Sequence, residues 1–238
     1  MPIELLKKEI KSAENKKQAA LLQRFFKTGK GEYGEGDIFL GLKVPQQRAI
    51  AKKYNLELKD IQHLLDSKIH EYRMIGLFIL IDKYKKSDKS KDEKQKKEIF
   101  NFYLQNGKKG NINNWDLIDL SSPNIIGSFL LDKKNERQIL YKLARSKSLL
   151  EKRISVLSTF MFIRYNQFED SIAIAETLLK DKHDLIHKAV GWMLREIGKR
   201  DKKVLIKFLE KHHKIMPRTM LRYSIEKLSE KERKKWMS

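Results

Sequence analysis

Trp115 and Asp119 stand four residues apart in the run Asn111-Ile-Asn-Asn-Trp-Asp-Leu-Ile-Asp-Leu120. On an α-helix this spacing puts an indole and a carboxylate on one face. An acid and a π face both attract positive charge. The same pair also reads as an aromatic anchor beside a capping acid, because Asn113 and Asn114 just before it suit a helix start. Both readings stand at this level.

Two further helices carry groups suited to nucleic acid. In the segment around Trp192, apolar Ile186, Ala189, Val190, Met193 and Ile197 form a stripe. Trp192 lies beside this stripe and lines up with Lys188, Arg195 and Lys199. An aromatic in a basic row can pack against nucleotides while the cations hold phosphates; the alternative is a core-edge Trp with snorkelling cations. Arg153 and Arg164 are 11 residues apart, three turns of one helix, so they share a face. They read as phosphate hooks, or as partners of Glu151 or Asp170 in surface ion pairs.

Other chemistry has little support. The chain has no cysteine, which excludes disulfides, thiolate metal sites and cysteine nucleophiles. His183 and His187 could share a helical face, but no Glu lies between them in the metalloprotease arrangement, and a polar helix end is the expected role. No metal site is predicted. A glycine-rich phosphate loop ending in Lys-Ser or Lys-Thr is missing, as is a Gly-x-Ser-x-Gly elbow.

These side chains need helices to hold them. Only 4 prolines and 11 glycines interrupt 238 residues, and apolar residues recur at three- and four-residue steps. The pattern predicts helices near 2–12, 16–28, 45–55, 58–66, 69–86, 89–106, 112–121, 123–132, 134–147, 149–164, 167–180, 184–199, 201–212 and 217–228, with a short C-terminal turn. A glycine-rich segment from Gly29 to Val44 is the one long loop, and Asp37–Lys43 within it is the only stretch with a period of two. The charged stretch Lys85–Lys97 reads as a solvated helix start or loop. Helices paired at intervals of roughly 35–45 residues suggest an all-α curved solenoid, one domain over 1–238, with a concave side able to hold a rod such as duplex DNA.

Charge narrows the partner. Lys and Arg number 52 against 31 Asp and Glu, a net charge of +21. Such a surplus favours polyanions, because phosphate neutralisation releases counterions. A Lys-rich proteome would produce the same count without function. The chain has no apolar run of about 18 residues to span a membrane and no secretory signal pattern at Met-Pro-Ile-Glu-Leu-Leu-Lys-Lys. An intracellular, cytoplasmic protein is expected.

Three segments carry a family resemblance: Phe39-Leu-Gly-Leu-Lys-Val-Pro-Gln-Gln-Arg48, Asn114-Trp-Asp-Leu-Ile-Asp119 and Lys188-Ala-Val-Gly-Trp-Met-Leu-Arg-Glu196. In this order and spacing the chain resembles the DNA alkylation repair family of HEAT-like repeat DNA glycosylases, the AlkD-like type, over nearly its whole length. The resemblance implies a curved stack of antiparallel HEAT-like helical pairs, an α-α superhelix. It implies hydrolysis of the N-glycosidic bond of cationic alkylpurines such as 3-methyladenine and 7-methylguanine in duplex DNA, by a monomer with no metal or organic cofactor and without flipping the base into a deep pocket.

Carried over by motif, Asp119 matches the catalytic carboxylate and Trp115 the aromatic against the lesion sugar. Arg153, in Leu150-Glu-Lys-Arg-Ile-Ser155, matches the arginine near the scissile nucleotide, where it would hold a neighbouring phosphate. Trp192 matches a second aromatic on the DNA backbone. Lys188, Arg195, Lys199, Arg48 and Arg164 are the expected DNA-binding cations. Gln18-Ala-Ala-Leu-Leu-Gln-Arg-Phe-Phe26 matches an N-terminal segment that some relatives lack, and Asn114 departs from the type member's Trp. A non-catalytic binder of damaged or branched DNA is the main alternative, and a protein–protein scaffold is another.

Overall fold

The computed structural model describes residues 2–237, and the chain divides into two compact units, Met1–Leu117 and Ile118–Ser238. Both are helical. The periodicity predicted this, since apolar residues at helical spacing are buried together.

The first unit contains α1 (Pro2–Ser12), α2 (Lys16–Phe25), α3 (Val44–Ala51), α4 (Leu58–Leu65), α5 (His70–Lys89), α6 (Glu93–Lys109) and the first turn of α7 (Trp115–Ser122). Helix α5 is apolar on all sides from Met74 to Ile81 and is buried there, with α3, α4 and α6 packed around it. The Lys85–Lys97 stretch turned out mostly helical. Helix α5 runs to Lys89, and α6 begins at Glu93 with Asp92 accepting the Gln95 N–H at 2.9 Å.

The long loop is fastened rather than free. Glu71, fully buried on α5, accepts the backbone N–H groups of Leu40 at 2.9 Å, Gly41 at 2.8 Å and Leu42 at 3.3 Å. Gly41 takes φ 91°, and a Cβ there would lie 2.2 Å from the Asn15 carbonyl oxygen. Only glycine fits that conformation and that space. The period-two stretch yields one isolated parallel bridge, Ile38 with Ile69, and no strand among the described residues. The Phe39–Arg48 segment is therefore a backbone clasp followed by α3, with Pro45 in its first turn.

In the second unit α7 continues through a π-helical turn, Pro123–Gly127, into α8 (Ser128–Leu130). Pro123 offers no N–H to the carbonyl of Asp119 four residues earlier, which accounts for the widened turn. After a 3-10 turn at Lys134–Arg137 come α9 (Gln138–Ala144), α10 (Leu149–Arg164), α11 (Glu169–Thr177), α12 (Asp184–Arg200), α13 (Lys202–His212), α14 (Arg218–Ser224) and α15 (Glu230–Met237). Helices α10, α12 and α14 lie side by side, while α9, α11 and α13 form the neighbouring layer. The segment expected as a C-terminal turn is a helix, α15, whose Trp236 is buried.

One glycine brings the π turn against α10. A Cβ on Gly127 would sit 2.3 Å from the Ser158 carbonyl oxygen, so the two backbones touch there. This contact sets the continuation of α7, which carries Asp119, against the helix that carries Arg153.

Candidate nucleic-acid interface

In the first unit Trp115 is half-buried and gripped on several sides. Its indole N–H donates to the Tyr33 hydroxyl at 3.3 Å, and its backbone N–H donates to Asn114 Oδ1 at 2.8 Å. Phe26 stacks on the indole at 5.2 Å and 22°, and Phe25 meets it edge-on at 6.0 Å. Beneath this, buried Asp37 gathers the Asn113 amide at 2.9 Å, the Asn114 amide at 3.1 Å and Arg73 at 2.7 Å. Asn114, the departure from the type member, thus has a defined polar role. Arg48 is exposed on α3, with its guanidinium 4.2 Å from the Phe78 ring centroid.

In the second unit Asp119 and Arg153 meet. Arg153 Nε donates to Asp119 Oδ1 at 2.8 Å and Nη2 to Oδ2 at 2.7 Å, a fork onto both carboxylate oxygens. Nη1 donates to the Leu185 carbonyl at 2.6 Å. Asp119 keeps 10% of its side-chain surface exposed and Arg153 5%. Arg153 is therefore turned inward onto Asp119, and neither Glu151 nor Asp170, the acids its sequence neighbourhood offers, is its partner. Those acids are used elsewhere: Glu151 binds the Ser146 hydroxyl and Asp170 binds Arg137. Arg164, three turns on, is exposed at the end of α10.

Trp192 is half-buried on α12, 6.0 Å from Phe160 on α10, and its indole N–H donates to Glu196 at 3.1 Å. The basic row around it is interleaved with acids. Lys188 pairs with Asp184 at 2.6 Å, Lys199 with Glu196 at 2.7 Å, and Arg195 with Glu226. The hydrogen bond from Lys188 holds the Asp184 carboxyl below the usual carboxylate range. Glu226 is likewise lowered, first by its hydrogen bond from Lys227 and then by Arg195.

The loop before α12 is tied back to α10 by Lys152, 2.6 Å from Asp181. Burial pushes the Asp181 carboxyl up, but Lys152 and the His183 N–H outweigh it, and the net shift is downward. His183 caps α12 through its Nδ1, and His187 Nε2 lies 2.6 Å from the Asp181 carbonyl oxygen. Both histidines act at a helix end.

The structure thus joins Asp119 to Arg153 and sets Trp192 among Arg195, Glu196 and Lys199. Arg48 and Arg164 are exposed, with no ion pair among the described residues. Sequence reading missed Tyr33, Asp37 and the Leu185 carbonyl. Tyr33 sits among Gly31, Gly34 and Gly36 in a segment without periodicity, and a carbonyl has no side-chain signature at all.

A family model described as DNA alkylation repair enzyme matches residues 6–228. The chain belongs to that family. Membership places the protein among DNA alkylation repair enzymes, as the three sequence segments suggested. A solved structure titled "Predicted DNA alkylation repair enzyme from Enterococcus faecalis" is similar in fold, with TM-score 0.69, at 15% identity, over 91% of this chain and 97% of that one. No curated protein matches the chain. Among the described residues of this DNA alkylation repair family member, no group of three or more His, Cys, Asp and Glu side chains is arranged to hold a metal. No described helix is long and apolar enough to cross a membrane.

Proposed function

We propose that the protein is an alkylpurine DNA glycosylase that hydrolyses the N-glycosidic bond of cationic bases such as 3-methyladenine and 7-methylguanine in duplex DNA. The observation that carries this reading is Asp119, fixed through both oxygens by Arg153 and one helical turn beyond Trp115 on α7.

A cationic alkylpurine leaves as a neutral base, taking the bonding pair from the sugar carbon. Positive charge passes to the deoxyribose ring, water adds to that carbon, and the water's extra proton goes to solvent. The leaving group is activated by its own charge, so the step needs no metal or organic cofactor. An anion held in place before the charge develops stabilises the transition state more than the ground state. Asp119 supplies this anion and orients the water. Arg153 acts as the residue that holds Asp119 in one position, a different role from gripping phosphate. The π faces of Trp115 and Trp192 add attraction for the cationic sugar and base. Lys188, Arg195, Lys199, Arg48 and Arg164 hold backbone phosphates. The chain works as a monomer over 1–238, on DNA in the cytoplasm.

Release of 7-methylguanine from methylated duplex DNA tests this. Asp119→Asn keeps the shape and loses the charge, so its release should fall on the order of 10²-fold or more. Equal release by both proteins would remove Asp119 from the chemistry. No release by the wild type, with duplex binding retained, would make the protein a non-catalytic binder of damaged DNA.

A further inference from the structure

Within the first unit, one buried titratable pair has no part in the chemistry just described. His70, the first residue of α5, is 2% exposed, and its Nε2 lies 3.0 Å from Asp116 Oδ1. Asp116 immediately follows Trp115 in the first turn of α7, and the same Oδ1 accepts the Leu117 N–H at 2.9 Å. Buried polar pairs of this kind are costly to desolvate and add little net stability compared with apolar packing. Their geometric effect is larger.

Two routes lead from His70 to the Trp115 indole. One runs through the hydrogen bond to Asp116 and the adjoining backbone. The other runs through rings: His70 stacks on Phe39 at 4.5 Å and contacts Phe26 at 5.3 Å, and Phe26 stacks on Trp115 at 5.2 Å. The His70 backbone N–H also donates to the Ile38 carbonyl at 2.9 Å, which fixes the loop bearing Phe39. With Nε2 donating to Asp116, His70 Nδ1 is buried without a hydrogen-bond partner, so the ring is held by this one polar contact and by stacking.

We propose that His70 and Asp116 are positioning residues that set the orientation of the Trp115 indole against the lesion sugar. This rests on the glycosylase reading for its catalytic consequence, but the orientation itself can be read without catalysis. A side chain that must meet a reacting sugar has to be held within about 0.5 Å, and misplacement of about 1 Å can cost 10²-fold in rate.

The test separates the two routes. His70→Phe keeps a ring and loses the donor; His70→Gln keeps a donor at the Nε2 position and loses the stack. Asp116→Ala removes the acceptor, and Asp116→Asn restores one. Each is placed in a Trp192→Phe, Trp236→Phe background, where Trp115 is the only indole, and acrylamide quenching of its fluorescence is measured. Greater quenching in His70→Phe and Asp116→Ala, partly reversed in Asp116→Asn, is expected. In the otherwise wild-type chain, single-turnover base release should fall on the order of 10-fold in the same two variants, with duplex affinity within about twofold.

Unchanged quenching in folded variants overturns the proposal whether or not the protein is a glycosylase. A lowered melting temperature with unchanged release at saturating enzyme also overturns it, since that is a structural role alone. If His70→Phe does not fold, the Asp116 pair decides. Loss of release in Asp119→Asn alone would leave the glycosylase reading standing and this one fallen.

Discussion

Arg153 shows how much one guanidinium does when three of its nitrogens are committed. Its fork fixes both oxygens of Asp119, and its third donor reaches the Leu185 carbonyl. Removing one member of a buried pair leaves the other uncompensated, at a cost of about 3 kcal/mol. Arg153→Ala should therefore lower the melting temperature by roughly 10 °C. Arg153→Lys keeps a charge near Asp119 without the planar fork, so it should melt higher than the Ala variant. Both should lose base release, because Asp119 is no longer held by both oxygens. Calorimetry and a single-turnover assay on the two variants check this; a Lys variant with wild-type release would show that the fork geometry is irrelevant. The pairing itself was not legible in the sequence. Trp115 and Asp119 declare a shared face by their spacing, whereas Asp119 and Arg153 are 34 residues apart and no local pattern links them.

The elements were more legible than the pairings, and the misreadings have physical causes. Helices such as 2–12 and 149–164 match their expected bounds because apolar spacing and caps agree, as where Ser148 accepts the Glu151 N–H. The stretch expected as helices 112–121 and 123–132 is one helix with a π turn at Pro123. Sequence marks the proline, but the contact that lets the helix continue lies on α10. Gly127→Ala tests that contact. Its Cβ would fall 2.3 Å from the Ser158 carbonyl oxygen and 2.9 Å from Met161 Cβ, and neither backbone can yield without the helices parting. Overpacking of this kind costs about 1–3 kcal/mol. Base release should fall with stability, since the shift separates the helix of Asp119 from the helix of Arg153. A variant destabilised with unchanged release would mean that the spacing of these helices does not reach the site.

At the scale of the whole molecule, the +21 charge was legible from composition, but its distribution over partners was not. Each phosphate neutralised on duplex DNA contributes about −0.9 to the slope of log affinity against log salt. Five contacts from Lys188, Arg195, Lys199, Arg48 and Arg164 would give a slope of about −4.5. The structure divides the five. Lys188, Arg195 and Lys199 already face Asp184, Glu226 and Glu196, whereas Arg48 and Arg164 are exposed with no acid partner among the described residues. When a phosphate displaces a carboxylate, the freed carboxylate recruits a cation from solution, and the net release of ions is smaller. Arg164→Ala or Arg48→Ala should therefore reduce the magnitude of the slope by about 1 each, and Lys199→Ala by less. Anisotropy titrations of a labelled duplex across a salt series measure these slopes directly. Equal reductions for all three would mean that the internal acids keep no hold on the basic row in solution. A flat salt dependence for the wild type would remove DNA phosphate as the ligand of this charge altogether.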